Sequence, residues 1–334
     1  MLRFVVRRLL LLGPILLGLS VLLFVWLRAL PGGPAAALLG ERATPEAVAR
    51  IEELYGLNDT WYVQYWKFIS RAVVLDFGNS TRTNRTVTQE MIRVFPATIE
   101  LGLAALLYAI GLGIPLGYLA ARKYGRWLDN VTVAGSLLGV AIPVFFLAYI
   151  LKYVFAVRLG WLPPSGRQDP RISSDHPTGF YVLDGLITGN WTAMWDAILH
   201  LILPALALGS IPLAIIVRIT RASVLDVVHE DYVRTAEAKG LYQRTITRRH
   251  VLRNGLLPVV TVIGLSTGLL FSGAVLTETV FAFDGVGRYV YEAITVRDYA
   301  VLQAFILVIA AGYVLINLAV DVSYGVIDPR VRVR

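Results

Sequence analysis

The chain has 334 residues, of which 56% are hydrophobic and 16% charged, with a formal net charge of +8 and no cysteine. Apolar runs of about 20 residues recur, the length a helix needs to cross the hydrocarbon core, so an integral membrane protein is expected rather than one or two soluble domains. The missing cysteines exclude a disulfide framework and a thiolate metal site. In a membrane protein the positive charge raises a question of sidedness, and no nucleic-acid partner is expected.

Arg3, Arg7 and Arg8 precede an apolar run from Leu9 to Ala29. It is longer than the apolar core of a secretion signal and is followed by Pro31-Gly-Gly-Pro34 instead of a small-residue cleavage site, so it is read as a retained first span. A polar region follows. Thr44–Leu57 opens on Thr-Pro-Glu and has Gly56 near its end, a helix with start and stop signals. Trp61–Val74 is amphipathic and aromatic-rich, as for a helix at a membrane interface, and Leu75–Val87 reads as loop.

Five further spans are predicted at 97–121, 131–157, 197–220, 256–279 and 300–322. Pro115, Pro143, Pro204 and Pro212 lie within them; membrane helices tolerate proline where neighbours re-satisfy the freed backbone groups. Gly113-x-x-x-Gly117 fits close helix packing. If the N-terminus, the 122–130 loop, the 218–254 block and the tail after Tyr324 are cytosolic, those short segments hold 17 Lys and Arg against six Asp and Glu. The remaining, longer stretches hold 14 basic and 17 acidic residues, so the positive-inside rule places both termini in the cytosol.

Catalytic signals are absent or out of context. There is no phosphate-binding G-x-x-x-x-G-K-[ST] motif, His229-Glu230 lacks the second histidine of H-E-x-x-H, and the four histidines are scattered. Gly264-Leu-Ser266-Thr-Gly268 matches G-x-S-x-G but lies in a continuous apolar segment, where a hydrolase needs a strand–turn–helix; small residues on a packing face explain it better than an intramembrane protease. Glu100, Lys152 and Glu278 fall near outer span ends, Arg218 and Asp321 near inner ones, none deep enough for an ion relay. A secondary transporter or channel is thereby weakened as a reading.

Glu230–His250 is the exception to the apolar pattern, with eight charges in 21 residues, five of them basic. From Arg221 to Lys239, apolar Val224, Leu225, Val228, Tyr232 and Ala236 fall on one helical stripe. Gly240 is a natural stop, and Leu241–Asn254 makes a second short helix. Spacing leaves two partners open for this face: a groove on another protein, or anionic lipid headgroups bound by Arg244, Arg248 and Arg249.

The motif VRTAEAKG (Val233–Gly240), with the HVLRNGLLPVVT that follows, resembles the cytoplasmic motif of ABC-importer permeases, in the version of the di- and oligopeptide permeases. RALPGGP (28–34), YGLNDTWYVQYWKFI (55–69), LDFGNS (75–80), FPATIELGLAA (95–105), VRLGWLPPSG (157–166), HLILPALALG (200–209), ETVFAFDGVGRYVYEAITVRDYAVLQ (278–303) and DPRVR (328–332) carry the resemblance across nearly the whole chain. Two departures stand out. Counting from Gly240, Arg234-Thr235-Ala236 replace the general E-A-A and His250–Arg253 replace I-x-L-P, as in the peptide subfamily; Gly33 stands where an acidic residue is usual.

The resemblance implies an all-α type I ABC-importer permease with six transmembrane helices and both termini cytosolic, in the cytoplasmic (inner) membrane of a prokaryote. Its expected organisation is an N-terminal helix with a long extracytoplasmic region (1–95) and a five-helix core (96–334) carrying coupling helices at about 221–254. It further implies that Asp231, Arg234, Thr235, Ala236, Glu237, Lys239 and Gly240 meet two ABC ATPase subunits, which bind ATP and magnesium while this chain holds no cofactor and is no enzyme. A second homologous permease would complete the pore, and an extracytoplasmic binding protein would deliver peptides. Permeases for nickel complexes, glutathione or oligosaccharides share these landmarks.

Overall fold

The computed structural model describes residues 2–29, 39, 44–55 and 58–327. The Pro31–Pro34 break, Gly33, the Gly56 stop and the terminal DPRVR lie outside them. Apart from an isolated bridge between Asn79 and Thr86, the described residues are helix, turn or loop. The chain forms two compact units, residues 1–96 with 284–318, and residues 97–283 with 319–334.

In the first unit, α1 (Leu2–Arg28) is followed by α2 (Pro45–Tyr55) and α3 (Trp61–Val73). Thr44 Oγ1 accepts from the Ala47 N–H at 3.3 Å, the cap that its sequence position implies. The amphipathic α3 lies against α1: Tyr65 and Ser20 hydroxyls meet at 2.8 Å, Phe24 meets Tyr65 edge to face, and Arg28 donates to Gln64. Trp61, Tyr62 and Trp66 stay exposed on the opposite side, as an interfacial helix requires. The start of α4 (Val87–Arg122) packs Val87, Met91 and Val94 against Val286 and Tyr289 of α13 (Val286–Thr295) and Val301 and Phe305 of α14 (Tyr299–Ile327).

The second unit takes α4 from Ala97 onward, then α5 (Trp127–Ala141) and α6 (Val144–Leu151), which runs on as a π-helix over Lys152–Arg158. Next come α7 (Tyr181–Ile187), α8 (Trp191–Leu208), α9 (Ser210–Val228), α10 (Asp231–Ala238), a composite helix α11 (Gln243–Gly255) and α12 (Leu257–Val280). All six predicted apolar runs are helical over most of their length.

Among the described residues, Val87–Arg122, Trp191–Leu208 and Tyr299–Ala319 are long and apolar enough to cross a membrane. Five segments qualify if each of two bent pairs is one span, and Gly13–Trp26 is a shorter apolar helix. The predicted span 131–157 is one of the bent pairs: α5 and α6 meet at 106°. Pro143 forces the bend, because its ring disfavours helical backbone at the preceding residue, and Ile142 is extended at ψ 123°. The predicted span 197–220 straddles a second break at Gly209; the apolar membrane-length helix is α8, and α9 starts afresh beyond it. Pro115 and Pro204 sit within continuous helices.

The Gly113/Gly117 face does what its spacing implies. A Cβ at Gly117 would stand 2.6 Å from the Val217 carbonyl oxygen and 2.7 Å from Thr220 Cβ, and one at Gly113 would stand 2.7 Å from Ile216 Cγ2. Bare backbone at these two positions lets α4 and α9 approach. Ser266 is buried within the uninterrupted helix α12, which supplies no nucleophile turn.

Candidate functional site

The charged block folds as two helices with a break the stripe does not reveal. α9 stops at Val228, Glu230 is extended at ψ 145°, and α10 begins at Asp231. The break resets the helical phase. Val233 and Ala236 turn inward at 2% and 5% exposure, whereas Tyr232 and Val228 are each 39% exposed. The buried pair joins Ala121 of α4, Val224 of α9, and Ile246 and Val251 of α11 in one apolar cluster.

α10 ends in a complete Schellman motif. The Leu241 N–H donates to the Ala236 carbonyl at 3.3 Å and the Gly240 N–H to the Glu237 carbonyl at 2.9 Å. Gly240 has φ +72°, the left-handed backbone that side-chain-bearing residues resist. The stop that the sequence assigns to Gly240 is therefore where the helix closes.

Two hydrogen bonds pin the pair from outside the apolar seat. Asn254 Nδ2 donates to the Tyr232 hydroxyl at 3.0 Å, tying α11 to α10, and the Tyr118 and Thr247 hydroxyls meet at 3.2 Å, tying α11 to α4. A third tie joins α5 to α9: Arg221 donates from Nε and Nη2 to Asp129 at 2.5 and 2.9 Å, and the Gly125 N–H donates to the same carboxylate at 3.0 Å. These contacts seat the short α10 on the C-terminal ends of α4 and α9, and α9 is tied in turn to the start of α5.

Of the seven coupling residues named from the sequence, Asp231, Arg234, Thr235, Glu237, Lys239 and Gly240 are exposed. Ala236 is not; it holds the helix in its seat. Thr235 Oγ1 bonds back to the Asp231 carbonyl at 2.8 Å, and the Asp231 and Arg234 charges stand 3.9 Å apart at 100% and 70% side-chain exposure. Such a pair stabilises little and leaves both charges free for a partner. The face mixes both signs on a rigid support, which suits a structured protein surface. Sequence reasoning missed Val233, Tyr232–Asn254, Tyr118–Thr247 and Asp129–Arg221; a phase restarted at Glu230 would have found Val233, and nothing local signals the other pairs.

Ionisable residues at the other ends of these helices are more deeply paired than their sequence positions suggest. Glu278 is fully buried and accepts from Thr98 Oγ1 at 2.6 Å. Glu100 receives Arg167 at 2.8 Å and the Val182 N–H at 2.8 Å, and Lys152 Nζ donates to the Val280 carbonyl at 2.8 Å. The Arg167 guanidinium lies 3.8 Å from the Tyr181 ring centroid, and His176 stacks on the same ring at 3.6 Å with the planes 2° apart. Burial pushes the His176 imidazole below the usual histidine range; Asp184 opposes that shift and Arg167 reinforces it.

In the first unit, Ser80 donates to the buried Asp298 at 2.6 Å, and Glu292 takes hydrogen bonds from Arg82 and Arg288. Burial would raise the Glu292 carboxyl, but those two arginines outweigh it and hold it below the ordinary carboxylate range.

Residues 113–333 match the family described as binding-protein-dependent transport system inner membrane component, and residues 1–102 match the N-terminal membrane component of the same systems. The chain is 46% identical over 332 residues to the dipeptide transport system permease protein DppB of Alkalihalophilus pseudofirmus, covering 99% of this chain and 100% of that one. Identity to the DppB of Escherichia coli K12 is 42%, with 99% of each chain covered. Identity to the glutathione transport system permease protein GsiC of Escherichia coli O1:K1 is 37%, again with 99% of each covered.

Proposed function

The chain belongs to the family of inner membrane components of binding-protein-dependent transport systems, and from that premise we propose that it is the permease subunit of an ATP-driven importer of di- and oligopeptides. The match to dipeptide permeases carries the reading: the alignments span 99% of this chain and 99–100% of those relatives. Identity to the glutathione permease is lower, which favours ordinary peptides over glutathione as cargo.

In this reading the chain moves substrate and partner subunits hydrolyse ATP. Two ABC ATPases dock on the exposed face of α10, a second permease completes the pore, and an extracytoplasmic protein delivers the peptide. Both termini and the 221–254 block are cytosolic, and the six apolar runs are the spans. The seat of α10 supports this division, because a push on Asp231, Arg234 or Lys239 reaches Ala121 and Val224 through Val233 and Ala236. Coupling of that kind passes through packed elements that move as bodies.

The test is uptake of a labelled dipeptide in cells lacking their own peptide importers, supplied with this chain and the ATPase, second permease and binding-protein subunits it assembles with. Uptake should require the ATPases and survive collapse of the proton gradient, with excess unlabelled dipeptide competing better than glutathione. ATP hydrolysis by the purified chain alone, or uptake that follows the proton gradient without the ATPases, would overturn the assignment.

A further inference from the structure

The block Glu230–His250 presents two chemically different faces, and the coupling reading uses one of them. The α10 face carries both signs of charge. The other face is basic. Arg244 and Arg248 of α11 are exposed, as are Arg122 at the end of α4 and Lys123 and Arg126 in the turn that follows. The Tyr118–Thr247 hydrogen bond brings these two segments together, since Thr247 adjoins Arg248 and Tyr118 lies one turn before Arg122. Ala121 shares the buried cluster with Ile246 and Val251, which fixes α11 against the end of α4.

Among the described residues, none of these five cations is in a salt bridge, whereas the nearby Arg221 is held by Asp129. Two large aromatic residues flank the turn, Tyr124 and Trp127, exposed at 66% and 72%. Aromatic rings of this kind settle at headgroup depth, and basic clusters beside a membrane helix attract anionic lipid. Guanidinium groups suit the phosphate oxygens in particular, because their planar fork donates two parallel hydrogen bonds.

We propose that Arg244 and Arg248, with Arg122, Lys123 and Arg126, form a binding site for the phosphate headgroup of an anionic lipid of the inner leaflet. The single sign of charge and the adjoining aromatics favour lipid over a protein partner, which α10 with its mixed charges fits better. The site would anchor the ends of α4 and α11 to the membrane surface while α10 remains free to face a protein. The inference rests on the cytosolic placement of this face and does not depend on the identity of the transported substrate.

The experiment uses the full chain, co-expressed with its ATPase partners and purified in mild detergent, then offered phosphatidylglycerol or phosphatidylcholine. Bound lipid is counted by native mass spectrometry. Replacing Arg244→Gln and Arg248→Gln should lower phosphatidylglycerol retention about fivefold for each charge removed, leaving phosphatidylcholine and co-purifying ATPase unchanged. Arg244→Lys with Arg248→Lys should restore most of the retention.

For the unaltered protein, phosphatidylglycerol should be released as ionic strength rises toward about 1 M, where screening is short-ranged, a result that needs no variant to fold. Retention unaffected by both the Gln pair and salt overturns the site. Loss of ATPase with phosphatidylglycerol kept assigns the face to a protein and also overturns it. Displacement by inorganic phosphate beyond that by chloride at matched ionic strength makes the ligand a free phosphate, and the lipid assignment falls.

Discussion

Asp129 and Arg221, 92 residues apart in sequence, meet through two parallel hydrogen bonds between the first turn of α5 and the second half of α9, with Asp129 all but fully buried. Removing one partner strands the other charge. Arg221→Ala is therefore expected to destabilise the chain by about 3–5 kcal/mol, more than the joint change Arg221→Met with Asp129→Asn. Thermal unfolding in detergent of the single and double variants checks this; a double variant less stable than Arg221→Ala would refute it.

Gly240 closes α10 in the left-handed region with no atom within 4 Å of where a Cβ would stand, so any penalty there is conformational and not steric. Gly240→Val should cost about 1–2 kcal/mol locally, fray the end of α10, and reduce ATPase retention and peptide uptake. Gly240→Asn should be milder, because asparagine tolerates this backbone better. Equal retention in both variants would show that the Schellman closure does not support the proposed docking face.

The approach of α4 to α9 makes a graded test along one helix. Gly117→Ala drives a Cβ into the Val217 carbonyl and should cost about 1–3 kcal/mol through overpacking. Gly111→Ala and Gly102→Ala, where nothing lies within 4 Å, should be neutral or slightly stabilising, since alanine favours helix over glycine. Melting temperatures of the three variants should separate in that order.

His176 sets a pH dependence. Its pKa is depressed in the folded chain, so the unfolded chain binds the proton more readily. The neutral ring's contribution to stability is then complete above the unfolded histidine value of about 6.5 and is lost as pH falls through the lower folded value. Acidification below about pH 6.5 should lower the melting temperature of the unaltered chain more than that of His176→Gln. Parallel curves for the two would remove His176 as the cause.

The helices were largely legible because apolar length and proline punctuation are local properties. Thr44, the amphipathic Trp61–Val73 helix, Gly113/Gly117 and the Gly240 stop all stand where the sequence implies. The interruptions were less legible. A proline within a span leaves a mild kink or a break open to the reader; Pro115 and Pro204 continue their helices, while Pro143 turns its chain by 106°. The buried face of α10 is out of phase with the stripe because a stripe running from Arg221 to Lys239 presumes one unbroken helix, and the chain breaks after Val228. Two non-helical residues sufficed to put Val233 where Tyr232 was expected. Pairs such as Asp129–Arg221 and Tyr118–Thr247 join distant segments, so no periodicity carries them.

Eight residues are too few to persist as an isolated helix in water, so α10 owes its shape to the seat beneath it. Its exposed charges form a fixed pattern because Ala121, Val224, Ile246 and Val251 hold it still. In a genetic screen, lesions at those four buried positions should therefore masquerade as defects of subunit recognition. A suppressor that refills the seat would restore recognition without altering a single residue of the proposed docking face.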